Sequence, residues 1–170
     1  MVVLEALSGM SAARGRFEQV INKSDAVAIV DYAHTPDAVA TALQALRPHV
    51  MGRLVVVLGA GGDRDTTKRP LMGEAAAQFA DLVFVTDDNP RSEDPAVIRT
   101  GVLLGAPEAV EVADRAEAIL RAVDALGPGD ALLIAGKGHE TGQIVGEDIL
   151  PFDDVEQASM AVSALDGGLA

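Results

Sequence analysis

The chain has 170 residues, 49% of them apolar but only 3% aromatic, so its core must be assembled from Ala, Val, Leu and Ile in a single domain-sized unit. A net charge of −13, from 26 acidic and 13 basic residues, opposes binding to a phosphate polymer, and the apolar content excludes disorder. The absence of cysteine removes disulfides, thiolate nucleophiles and Cys-ligated zinc, and apolar runs of five residues such as Leu54–Leu58 are too short to span a bilayer. A cytoplasmic protein without membrane or nucleic-acid partners is expected.

Taken in order, the chain alternates short apolar runs with helical periodicity. Ala26–Val30 reads as a buried strand ending at Asp31. Thr35 is a good helix N-cap, Pro36 suits the first helical position, and Val39, Leu43 and Leu46 recur at helical spacing up to Pro48. Leu54–Leu58 is a second strand, running into Gly59-Ala60-Gly61-Gly62. Leu71, Met72, Ala75, Ala76 and Phe79 mark a helix, and Leu82–Thr86 a strand. Pro95 opens a helix to about Leu104, Val110–Val112 is a short strand, and Ala116–Leu126 a helix closed by Gly127-Pro128-Gly129. Ala131–Ala135 is a strong strand, Ile144–Val145 and Ile149–Leu150 suggest a hairpin, and about Val155–Leu165 forms a terminal helix. Strands apolar throughout are buried on both faces. The expected fold is therefore α/β: a doubly wound, mostly parallel sheet with helices on both faces.

In such sheets ligands sit beyond the carboxyl ends of the strands. Four polar segments fall there: Asp31–Asp37, Gly59–Arg69, Asp87–Asp94 and Gly136–Gln143. The bases Arg64, Lys68, Arg69, Arg91 and Lys137 lie in or beside glycine- and proline-marked turns, an arrangement suited to a small anion rather than a polymer.

The glycine run is not a dinucleotide fingerprint, because the third glycine of GxGxxG would fall at Arg64 and no acid ends the next strand at the right distance. No GxxxxGK[ST] phosphate loop and no GxSxG serine elbow occur. Asp87 and Asp88, like Asp63 and Asp65, can be read as magnesium ligands or as Asx turns. Asn89 with Arg91 offers an amide and a guanidinium fork suited to a carboxylate, or an ordinary turn. Gly136-Lys137-Gly138-His139-Glu140 lets backbone approach a ligand and supplies in Glu140 an acceptor for an ammonium; the alternative is a solvated loop. His34, His49 and His139 lack metal-ligand spacing, and His49 reads as surface.

Together, Asp31-Tyr-Ala-His-Thr-Pro-Asp37, Gly61-Gly-Asp-Arg-Asp65, Lys68-Arg-Pro-Leu-Met-Gly73, Asp87-Asp-Asn-Pro-Arg91 and Gly136-Lys-Gly-His-Glu140 resemble the C-terminal domain of the Mur ligase family, in its diaminopimelate-adding branch. The resemblance runs from Gly15-Arg-Phe-Glu18 to about Leu165. It implies a Rossmann-like domain over residues 15–170, with residues 1–14 a remnant of a preceding central domain or a cloning scar. It also implies part of an ATP- and Mg2+-dependent enzyme of peptidoglycan synthesis that adds meso-diaminopimelate to UDP-N-acetylmuramoyl-L-alanyl-D-glutamate. By the resemblance, Arg64, Asp88, Asn89, Pro90, Arg91, Gly136 and Glu140 hold diaminopimelate, while Arg16, Asp31 and His34 contact ATP. No catalytic or metal-binding residue is expected in this domain, since the phosphate loop, magnesium ligands and UDP-binding domain of the family lie outside this sequence. A related ligase adding lysine, or a free-standing module binding a small zwitterion, remains open, and arginine at 91 favours diaminopimelate.

Overall fold

The computed structural model describes residues 13–23 and 25–167; of residues 1–14, expected to be a remnant of a preceding domain or a cloning scar, 1–12 lie outside this range. The central sheet contains β1 (Glu18–Lys23), β2 (Ala26–Asp31), β3 (Leu54–Leu58), β4 (Leu82–Val85), β5 (Val110–Glu111) and β6 (Ala131–Ala135). Their spatial order is β1-β2-β6-β3-β4-β5, with β1 antiparallel to β2 and every other pair parallel. A separate antiparallel hairpin joins β7 (Gly142–Val145) to β8 (Asp148–Pro151).

The helices are α1 (Pro36–Leu46), α2 (Lys68–Phe79), α3 (Pro95–Leu103), α4 (Arg115–Asp124) and α5 (Asp154–Gly167), with a 3-10 turn at Arg47–His49 after α1. Alternate residues of the central strands divide the core. Val56, Leu58 and Leu133 face Val39, Leu43, Met72 and Ala76, whereas Val55, Val57, Leu132 and Ile134 face Ile119, Ala122, Val123 and Ala158. The helices α1 and α2 therefore cover one face and α4 and α5 the other, as all-apolar strands require. Truncating a fully buried leucine such as Leu133 costs about 2–5 kcal/mol.

The observed elements match the expected ones to within three residues at each boundary. The exception is β1. Its sequence EQVINK carries no continuous apolar run, because it is an edge strand, and it pairs with β2 with a register shift between Gln19 and Ile21. Thr35 caps α1 as expected, its hydroxyl accepting from the Ala38 N–H. No helix among the described residues is long and apolar enough to cross a membrane.

Candidate functional site

The parallel strands all end on one side of the sheet, so the loops that follow β2, β3, β4 and β6 meet there. They enclose an open cleft of about 380 Å³. Arg64, Asp88, Asn89, Arg91, Gly136 and Glu140 line it, as does His34. Loops of four different strands thus bring together most of the residues singled out in the sequence.

The loop after β4 is the hub. Asn89 is buried, and its Oδ1 accepts from Lys137 Nζ at 2.8 Å and from the Ile144 N–H at 2.9 Å. Its Nδ2 donates to Glu140 Oε2 at 3.0 Å, so one amide N–H is left for a ligand. Asn89 therefore braces Glu140 and keeps one N–H, in a cleft that Arg91 also lines.

Arg91 adopts a left-handed backbone, φ 53°, a conformation costly for a residue with a side chain. Its N–H donates to Ile144 O and its carbonyl accepts from the Gly146 N–H, which ties the β7–β8 hairpin to the cleft. One guanidinium nitrogen, Nη1, donates to Gly62 O at 2.9 Å; among the described residues the other guanidinium nitrogens have no protein acceptor. Pro90 does not line the cleft. It is buried, and its carbonyl packs so closely on Gly62 that a Cβ there would lie 1.8 Å away.

Lys137, wholly buried, also donates to Gly142 O at 2.7 Å and lies 3.6 Å from Glu140 and 4.0 Å from Asp88. Burial lowers its pKa, an effect that the Asp88 and Glu140 carboxylates oppose. Gly136 has φ +117°, and a Cβ there would approach Asp88 Oδ2 to 2.6 Å. Only glycine fits so close to that carboxylate. Asp88 and Glu140 form the acidic wall of the cleft, and Arg64 and Lys68, both exposed, line it from the loop and helix start after β3.

The nucleotide candidates cluster at Tyr32. The Arg16 guanidinium lies 4.7 Å from the Tyr32 ring centroid, and the His34 and His139 rings lie 4.5 and 5.5 Å from it. Asp31 ends β2, and its two oxygens accept from the Phe17 and Ala33 N–H groups at 2.9 and 2.8 Å. Each oxygen keeps a second lone pair. Arg16 and Asp31 do not line the cleft themselves.

The other paired aspartates have protein partners. Asp87 is committed to Arg99, with burial holding its carboxyl above the ordinary range. Asp63 accepts from Ser92 and so ties the loop after β3 to the loop after β4, and Asp65 accepts from Thr67 as a turn residue does. Among the described residues no group of three His, Asp or Glu is arranged to hold a metal.

Tyr32 was not singled out in the sequence; Lys68 and Arg69 were, as bases suited to a small anion, but Arg69 is buried and grips both oxygens of Glu93 at 2.8 and 2.9 Å, which secures the loop after Arg91. Lys137 was visible as a base between two glycines, but its burial was not.

A family model described as "Mur ligase, glutamate ligase domain" matches residues 15–138. A UDP-N-acetylmuramoyl-L-alanyl-D-glutamate–2,6-diaminopimelate ligase from Bradyrhizobium diazoefficiens is 57% identical over 95% of this chain and 33% of its own length. A solved structure of a ligase of the same name is 40% identical, with a TM-score of 0.85 over 92% of this chain and 33% of that one. A bifunctional folylpolyglutamate synthase/dihydrofolate synthase from Yersinia pestis, solved with AMPPNP and a manganese ion, shares the fold at 18% identity and a TM-score of 0.60, over 92% of this chain and 32% of that one. The chain thus spans about a third of the length of these relatives. The family match takes in every cleft residue except Glu140, and on that ground the chain belongs to the Mur ligase family, as its glutamate ligase domain.

Proposed function

We propose that this chain is the amino-acid-binding, C-terminal domain of an ATP-dependent ligase that joins meso-diaminopimelate to UDP-N-acetylmuramoyl-L-alanyl-D-glutamate in peptidoglycan precursor synthesis. The observation that carries the reading is that one cleft holds both signs of charge: Arg64 and Arg91 both come close to Gly61, while Asp88 and Glu140 both lie beside Lys137, at 4.0 and 3.6 Å. The distal end of diaminopimelate is a zwitterion and needs both. Its carboxylate pairs with the Arg91 guanidinium nitrogens that Gly62 does not hold and with Arg64, helped by the remaining Asn89 N–H. Its ammonium is met by Glu140, the Gly136 carbonyl and Asp88, while Pro90 sets the turn that delivers Arg91. The reactive amine is thereby left facing the rest of the enzyme.

Arg16, Tyr32 and His34 offer a cationic and aromatic face to a nucleotide, and Asp31 retains lone pairs for ribose hydroxyls. ATP supplies the phosphoryl group that activates the glutamate carboxylate. Mg2+ and the phosphates are held mainly by the remainder of the ligase, in keeping with the missing phosphate loop. The working setting is the cytoplasm, with small molecules as the partners.

The test is a titration of 15N-labelled protein with meso-diaminopimelate and, separately, with lysine. Diaminopimelate should shift the amides of residues 88–91 and 136–140, and lysine should bind at least tenfold more weakly. Equal affinities would favour a lysine-adding ligase. No response to millimolar diaminopimelate would overturn the assignment.

A further inference from the structure

Arg115 is the first residue of α4 and is completely buried, together with Asp154 at the start of α5. Its Nε and Nη2 donate to the two Asp154 oxygens at 2.8 and 2.7 Å. Nη2 also donates to the Ala135 carbonyl at 2.9 Å, and Nη1 reaches the Asp87 carbonyl at 3.4 Å. Those carbonyls immediately precede Gly136, the first residue after β6, and Asp88, the third after β4, in the two loops that form the acidic wall of the cleft.

These two strand ends are not neighbours, because β3 runs between β6 and β4. No ladder hydrogen bond can set their separation. We propose that Arg115, held in orientation by Asp154, is a positioning residue that fixes the β4 and β6 loops relative to one another from beneath the cleft. Stability alone does not account for it. A buried ion pair is often matched or bettered by apolar side chains of similar volume. Nor does the helix favour it, since a cation at a helix N-terminus opposes the macrodipole. Two apolar residues would fill the space but could not hold two carbonyls.

The geometry of this clamp stands without any ligand, whereas its effect on amino-acid binding rests on the ligase reading above. The test is the double variant Arg115→Met/Asp154→Leu of this chain, compared with the wild type by thermal melting, amide hydrogen exchange and titration with meso-diaminopimelate. The variant should melt cooperatively near the wild-type temperature. The Asp87, Arg91, Gly136 and Glu140 amides, all hydrogen-bonded in the wild type, should exchange at least tenfold faster, with the interior of α1 unchanged. Diaminopimelate should bind at least tenfold more weakly. A folded double variant with wild-type loop exchange and wild-type affinity would overturn the proposal. Should the double variant not fold, Arg115→Lys serves in its place, because one ammonium cannot span the carboxylate and both carbonyls; wild-type loop exchange in that variant would equally overturn the clamp. If the wild type ignores diaminopimelate while the exchange contrast is present, the ligase reading falls and the clamp stands.

Discussion

Arg91 and Gly136 show two different ways in which one residue can govern the cleft. Among the described residues Arg91 spends a single guanidinium nitrogen on protein carbonyls and leaves the others without a protein acceptor; in the proposed function these meet the distal carboxylate. Lysine has the distal ammonium of diaminopimelate but no carboxylate to match them. In the complete ligase, Arg91→Ala should therefore lower kcat/KM for diaminopimelate by the equivalent of about 2–5 kcal/mol and change the poor lysine reaction much less. Arg91→Lys should restore little, since a point charge does not reproduce the fork. Steady-state kinetics with both amino acids checks this, and equal losses for the two would remove Arg91 from recognition. Gly136 acts through absence of bulk. Gly136→Ala places a methyl 2.6 Å from Asp88 Oδ2 on a backbone at φ +117°. It should destabilise the fold by about 1–3 kcal/mol in urea unfolding and displace Asp88 from the acidic wall.

At the level of elements, the end of the sheet opposite the cleft is held by carboxylates. Asp81 accepts from the Leu54 N–H at 2.7 Å and pairs with Arg47; the Leu54 bond is the main cause of its depressed pKa. Burial raises the pKa of Asp130, but the Gly127 and Arg53 N–H groups and the Arg53 guanidinium outweigh it, and the net shift is downward. Carboxyls depressed on folding stabilise the protein above the ordinary carboxylate range, and that contribution is lost as pH falls through their folded values. Urea midpoints should accordingly fall as pH drops below about 4, and Asp130→Asn should flatten that slope. Most elements were legible because apolar strand runs, a Thr-Pro cap and Gly-Pro breaks each carry a local signature. β1 was not, since an edge strand lacks an apolar run. Arg115 left a fainter trace: the apolar stripe Ala118, Ile119, Ala122 and Val123 extends back one turn onto it, and an arginine on a buried stripe signals a tertiary partner. That partner, Asp154, lies 39 residues away and has no local signature.

For the molecule as a whole, the cleft is open and is built from a third of the length of its relatives. Binding groups that face only one side of a ligand give modest affinity, because desolvation and ordering are offset by few contacts. Calorimetry of this polypeptide with diaminopimelate should give a Kd in the high micromolar to millimolar range, roughly −4 to −6 kcal/mol. With ATP, Mg2+ and both substrates present it should release no phosphate above a blank, because in-line transfer requires groups that this sequence does not carry. Turnover that survives repurification would refute this.

The hairpin grips residue 91 by its main chain: an N–H and a carbonyl on one side, a carbonyl and an N–H on the other. Proline, which cannot follow a backbone at φ 53°, and the β-branched residues, which resist it, are exceptions; any other side chain at that position leaves those bonds in place. Those exceptions aside, a library at 91 would sort on what the cleft binds more than on foldability, and a single codon there is an economical route by which selection could retune the ligand of such a cleft.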